Sequence, residues 1–380
     1  MNRTFFVAIA GVLTLITSLS ASAQQWPDFP VPLKLGASAR VGSQVFAGMG
    51  SAGTSWFALD IKAKEREWKK MAPYPGAPRD NPNAVALGNH IYIFGGQYAP
   101  ADMPGGLRVD DTVYRYDTQA NTWEALPTRA PFGLLATSAA TLDNKTIVFV
   151  GGVSKVVFDT FFEENVRAGS NAEKKAQIAA AYLDKPARDY FFMTTVLQFD
   201  PANLSWKALA QDPGPVTIGA AVAVKNGRLD MGSGELKPGL RSRHARQFWL
   251  NAGGQAQWSQ EPIGGIPWEQ QDGFAGGYAG YSGDTLLMAG GATFPGSSAQ
   301  YEKGQFWAHK GLKKTWSDTV YAKTNGKWSV AGKLPEPMGY SPYVQLDDGV
   351  LIIGGELQDG KPSARSFLMR IQNNTLLIED

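Results

Sequence analysis

Cysteine is absent from all 380 residues. That excludes thiolate nucleophiles, cysteine-ligated zinc, disulfide frameworks and any cofactor built on a cysteine crosslink. Histidine is nearly as scarce, with only His90, His244 and His309. A histidine metal cluster would consume almost every one of them, and no metal or other cofactor is expected. An excess of one charge is also missing, since 36 Lys and Arg against 34 Asp and Glu leave a formal +2. So balanced a chain has no global field to hold a polyanion, and neither nucleic acid nor a membrane surface is expected as a partner. Long apolar runs are confined to the first residues of the chain.

That run, from Phe5 to about Leu19, follows Met1-Asn2-Arg3 and precedes Ser20-Ala21-Ser22-Ala23-Gln24. It falls short of the ~20 residues a helix needs to cross hydrocarbon. A basic start, a short apolar stretch and an Ala-x-Ala site have the form of a secretory signal. Residues 1–23 are therefore expected to be a signal peptide and 24–380 a single domain. The periplasm is the expected location, where a cysteine-free chain of this length relies on its hydrophobic core alone.

What the chain has in surplus is glycine, 43 residues, with 11% aromatics. Both are organised by a repeat that occurs six times: a β-branched or aromatic run, a Gly-Gly pair, an apolar strand often ending in Asp, then Trp. The clearest copy is Ile91-Tyr92-Ile93-Phe94-Gly95-Gly96, Val113 to Asp117 and Trp123. The next is Ile147-Val148-Phe149-Val150-Gly151-Gly152, Val196 to Asp200 and Trp206. Copies five and six carry Gly290-Gly291 and Gly354-Gly355, and the sixth lacks the Trp. The first and fourth break the pair, reading Gly48-Met49-Gly50 and Gly232-Ser233-Gly234. The pattern resembles the kelch repeat, at about 60 residues per unit against roughly 50. It implies an all-β fold, a six-bladed kelch-type β-propeller, in which glycines admit close strand approach and tryptophans fill the space between blades.

The surplus length sits in insertions. Between Gly152 and Val196, Ser170 and Glu173 read as a capping box before a helix over Ala172 to Leu183, with Phe158 to Ala168 as a further turn or two. This predicts a short helical insertion in blade three. A second insertion, Thr293 to Asp318, carries Tyr301, Phe306, Trp307, His309 and Lys310. Such loops either wall off the channel mouth or decorate the rim.

Departures from a repeat are where chemistry is to be sought, because the blade does not require them. After its broken diglycine, blade four reads Glu235-Leu236-Lys237-Pro238-Gly239-Leu240-Arg241. Pro238-Gly239 should fold the segment back and bring Glu235 to Arg241. By spacing alone the two are either a structural ion pair or part of a reactive cluster. Glu356 holds the equivalent position in blade six and is the next candidate for a base.

The segments Gly234 to Arg241, Pro78-Arg79-Asp80, Asp189-Tyr190-Phe191-Phe192 and Ala308 to Lys314 closely resemble the periplasmic sialic acid mutarotases, or N-acetylneuraminate epimerases. The resemblance runs from about Gly50 to the C-terminus and includes the third-blade insertion. It implies an isomerase that interconverts the α and β anomers of N-acetylneuraminate, with Glu235 as catalytic proton acceptor, and it implies a homodimer. Arg241 corresponds to the segment's arginine. A guanidinium stays charged and matches a sugar carboxylate in bidentate fashion, so Arg241 is expected to bind substrate. Arg79 is a second candidate anchor, or else a structural residue. Ring opening requires only a base and a proton source, and the proton could come from protonated Glu235 or from water.

Three other readings compete. A non-catalytic kelch module binding a glycan or protein is compatible with the fold. A sialidase would carry Asp-box repeats, and none is found; Asp117 to Trp123 lacks their glycine and serine. A kelch-type copper radical oxidase needs a cysteine crosslinked to tyrosine, which the composition excludes.

Overall fold

In a computed structural model, which describes residues 26–264 and 272–380, six antiparallel sheets follow one another along the chain. The expected signal peptide, 1–23, lies outside the described residues. Blades one to five each have four sequential strands; blade four, for example, is Ala221–Lys225, Arg228–Gly232, His244–Leu250 and Ala256–Pro262. In blade six the innermost strand is split into Met338–Gly339 and Tyr343–Gln345, both paired with Val350–Leu357. The first strand of each blade touches the first strand of the next, and Tyr343–Gln345 touches Ala37–Val41 of blade one, which closes the propeller.

Each interface between neighbouring blades has its own core. Phe46, Trp56, Ile93 and Tyr116 join blades one and two, while Phe94, Phe149 and Phe199 join two and three. The repeat tryptophans fill these spaces as expected, Trp206 against Phe94 and Phe149, and Trp258 against Phe248. In blade six, Leu376 and Ile378 take the place of the missing Trp.

The glycine pairs do more than relieve crowding. Outside blade three, the second residue of the pair donates its N–H to the segment leading into the next blade, as in Gly96 to Leu134, Gly234 to Phe274 and Gly291 to Met338. Gly355 to Leu33 does the same across the ring closure. The N-terminal segment thus lies along blade six near Ser363 and Ala364, rather than beside Leu376 to Ile378. Where blade four breaks the pair, Ser233 keeps the left-handed φ of +57°. Its hydroxyl bonds Ser242 O, Phe274 O and Phe274 N.

The two ends of the propeller differ sharply. One end holds tight turns such as Asn226-Gly227 and Asn325-Gly326, both residues of each at positive φ, the geometry that matches strand twist. The other end carries the insertions of blades three and five. Blade three's insertion is larger than expected, with helices Lys155–Arg167 and Ala172–Leu183 and a 3₁₀ turn, Ala187–Tyr190. The second helix has the expected bounds, but its cap is Asn171, whose side chain accepts from Lys174 N, rather than Ser170. The first is longer than a turn or two because Ser154 caps it four residues earlier than Phe158.

Candidate active site

The blade-four segment forms a small hairpin, Glu235–Lys237 paired with Leu240–Arg241, with Glu235 directly opposite Arg241. The Pro-Gly turn folds back as its composition dictates. Glu235 Oε1 lies 2.6 Å from Arg241 Nη2, with the arginine side chain 2% exposed and the glutamate 21%. This asymmetry matters, because the anchor is sealed while the carboxylate reaches solvent.

Blade five's insertion builds Arg241's surroundings. Arg241 Nε donates to Ala292 O at 3.1 Å, and its guanidinium lies 5.0 Å from the centre of the Phe294 ring. Nη1 is buried without a partner among the described residues, an unused donor next to the carboxylate. Gly239, at φ +82°, packs on His309, and a Cβ there would stand 1.8 Å from His309 Nδ1. Burial, then the charges of Arg241 and Lys237, lower the His309 pKa and favour its neutral form.

The two insertions meet above this hairpin. Lys237, fully buried, donates to Leu183 O at the end of the second helix (2.8 Å) and to Phe306 O of the blade-five insertion. Ala187 N donates to Tyr301 Oη, and Trp307 N to Asp184 Oδ1. The insertions therefore wall the mouth rather than decorate the rim. Burial pushes the Tyr182 phenol to about 12, with the Glu235 charge adding to the rise. Tyr190 shifts in the same direction from burial, then from Tyr182 and Glu235.

Tyr340, in the break between the two halves of blade six's innermost strand, completes the cluster. Burial raises its phenol to about 12; the Arg241 charge opposes that rise, and Glu235 and Glu356 reinforce it. Glu356 itself is held between Lys314 (2.7 Å) and Lys34 (2.9 Å). Burial would raise its pKa, but hydrogen bonds from the two lysines outweigh that and hold it low. Both of its oxygens are thus committed, which leaves Glu235 as the less encumbered carboxylate.

Arg79 lies elsewhere. Its side chain, 1% exposed, pairs with Asp110 at 3.2 Å and donates to Gly95 O and Thr112 Oγ1. The guanidinium also packs on the Tyr74 ring. These bonds lie within blade two and its approach, so the structure does not bring Arg79 into the Glu235–Arg241 cluster. Sequence reasoning missed Tyr340, which has no repeat signal; Tyr182, Tyr190, Lys237 and His309 lie in segments it singled out, without a role. A separate cavity of about 940 Å³ lies beside the cluster, bordered by Lys155, Phe191, Phe192, Asp212 and Leu236. It does not include Glu235 or Arg241.

Comparison with known proteins gives this geometry a family. The family model described as N-acetylneuraminate epimerase matches residues 26–378. An N-acetylneuraminate epimerase of Yersinia enterocolitica is 40% identical over 98% of this chain and 96% of its own length. One from Haemophilus influenzae is 40% identical over 98% of both chains. The solved structure of YjhT superposes with a TM-score of 0.88 at 35% identity, covering 93% of this chain and 99% of that one. With a match spanning all six blades and the insertions that wall the mouth, the chain belongs to the N-acetylneuraminate epimerase family.

Proposed function

We propose that this chain interconverts the α and β anomers of N-acetylneuraminate with Glu235 as the base and Arg241 as the anchor for the sugar carboxylate. One observation carries the assignment of roles: a sealed guanidinium with a spare donor, 2.6 Å from a carboxylate that reaches solvent. A buried donor without a partner costs about 1–3 kcal/mol, and an acidic sugar entering over Glu235 removes this cost by shifting the residues that cover Nη1 and supplying the acceptor. Bound in this way, the sugar lies with its anomeric hydroxyl toward Glu235. The carboxylate removes that proton as the hemiketal ring opens and returns it after the carbonyl has turned its other face. A positioned base contributes about 10²–10⁴-fold to such a step.

The test is proton NMR of sialic acid freshly released as the α anomer. Equilibration should be much faster with the protein than in buffer, and Glu235→Gln should keep the fold while losing most of the acceleration. Equilibration no faster than in buffer would refute the activity; full activity in Glu235→Gln would move the base elsewhere. The reading also places the protein in the periplasm as a homodimer, on the strength of the N-terminal segment and the family resemblance. Cell fractionation and light scattering check these two points.

A further inference from the structure

One residue per blade stands at the start of the innermost strands in left-handed conformation: Leu35, Asn81, Ala136, Gly219, Gly276 and Tyr340, with φ between +52° and +67°. They are chained around the axis by backbone bonds, Asn81 N to Leu35 O, Leu35 N to Tyr340 O, Tyr340 N to Gly276 O, Gly276 N to Gly219 O and Gly219 N to Ala136 O. The fold needs this backbone geometry at each position, and glycine meets the need without strain. A bulky aromatic in that region costs roughly 1–2 kcal/mol. Only blades four and five use glycine; Leu35, Asn81 and Ala136 stand there in blades one to three, and blade six has a tyrosine, the one ionisable side chain of the six. Its neighbour accommodates the ring, since a Cβ on Gly276 would stand 2.3 Å from Tyr340 Cδ1. The architecture does not require a phenol, so a different reason for it is needed.

Its surroundings supply one. The Tyr340 phenol lies beside the Arg241 guanidinium, in the field of Glu235 and Glu356. Lys314 Nζ is 4.7 Å from the ring centre. Glu235 and Tyr340 therefore flank the same arginine, one able to accept a proton and the other to donate one. From this arrangement we infer that Tyr340 is the second catalytic residue, the proton donor to the ring oxygen. The inference rests on the proposed anomer exchange at Glu235.

In the step, Glu235 takes the anomeric hydroxyl proton as the bond between anomeric carbon and ring oxygen breaks and the ketone forms. The ring oxygen receives the Tyr340 proton and becomes a free hydroxyl. The tyrosinate left behind is stabilised by Arg241 and Lys314. Closure on the other face reverses each transfer: the tyrosinate recovers its proton from the attacking hydroxyl, and protonated Glu235 returns one to the new anomeric oxygen. Nothing is oxidised or reduced. Burial and the two carboxylates keep the phenol protonated at neutral pH, so it begins each cycle as a donor.

The test is Tyr340→Phe in the full chain, which keeps the ring on Gly276 and removes only the hydroxyl. Exchange at saturating sugar should fall about 10²-fold, with KM changed less than about threefold. Added buffer acids should restore part of the rate in this variant and none in Glu235→Gln. Replacing Tyr340 with fluorotyrosine, a more acidic phenol, should move the alkaline limb of the pH profile to lower pH. A Tyr340→Phe rate equal to wild type overturns the inference. So does a loss confined to KM without buffer rescue, which marks a packing role. The reading beneath it fails separately, if Glu235→Gln retains full activity.

Discussion

Replacing Lys237 with Met separates the clasp between the insertions from the stability of the propeller. The ammonium is fully buried and donates to Leu183 O and Phe306 O. Burial lowers its pKa from 10.5 to about 8, against the pull of Asp184. A drop of that size means that holding the charge in the fold costs about 3 kcal/mol, at 1.36 kcal/mol per pH unit. Methionine removes this cost but leaves two buried carbonyls without a donor, at about 1–3 kcal/mol each. The two effects are of similar size and opposite sign, so global stability should change by less than about 3 kcal/mol. The clasp, by contrast, is lost outright. Hydrogen exchange should quicken around 180–190 and 303–310 while the blade strands keep their protection, and KM should rise. A second readout follows from the sign of the shift. Between about pH 8 and 10.5 the unfolded chain still holds a proton that the folded chain has released, so wild-type stability should gain over that window. Lys237→Met should lack that contribution. Unchanged exchange in both insertions would refute the clasp.

Two further outcomes can be checked. Arg79→Met should cost about 3–5 kcal/mol, because it leaves Asp110 buried without its partner, and should lower the melting temperature with KM unchanged; a raised KM at constant stability would restore Arg79 as a substrate anchor. Gly239→Ala places a Cβ 1.8 Å from His309 Nδ1 at a φ of +82°, so the hairpin must shift. Exchange activity should fall more than tenfold while the circular dichroism of the blades is kept, and wild-type activity would show that the hairpin tip is not fixed by His309.

Much of the fold was legible because a propeller writes its architecture as a repeat. Each blade needs the same glycines and tryptophan, so Gly95-Gly96, Gly151-Gly152, Trp123 and Trp206 announce blades without reference to the rest of the chain. Blade four's hairpin was legible for a local reason, since Pro238-Gly239 turns the chain and returns Arg241 to Glu235. Helix caps were less so: Ser170 and Asn171 are both good caps, and adjacent candidates cannot be ranked without knowing which backbone N–H is free. Arg79 shows a related limit. A sequence does not tell whether an arginine's donors are already taken, and here Asp110, Gly95 and Thr112 occupy both Nη groups, while Nε is buried without a partner among the described residues.

The sequence by itself determined that the chain is a six-bladed propeller, that blade four departs from its repeat at Ser233 and Glu235, and that cysteine chemistry is excluded. These follow from composition and from contacts close along the chain. Only the tertiary structure decided which groups share the site. Arg241 comes from blade four, Phe294 from the blade-five insertion, Tyr182 from the blade-three helices and Tyr340 from the break in blade six's innermost strand. Their meeting depends on the packing of blades three to six around the axis, which backbone bonds such as Tyr340 N to Gly276 O and Gly276 N to Gly219 O hold together. The exposure of Glu235 and the sealing of Arg241 are likewise products of packing, because burial belongs to the assembled blades and not to any one segment of them.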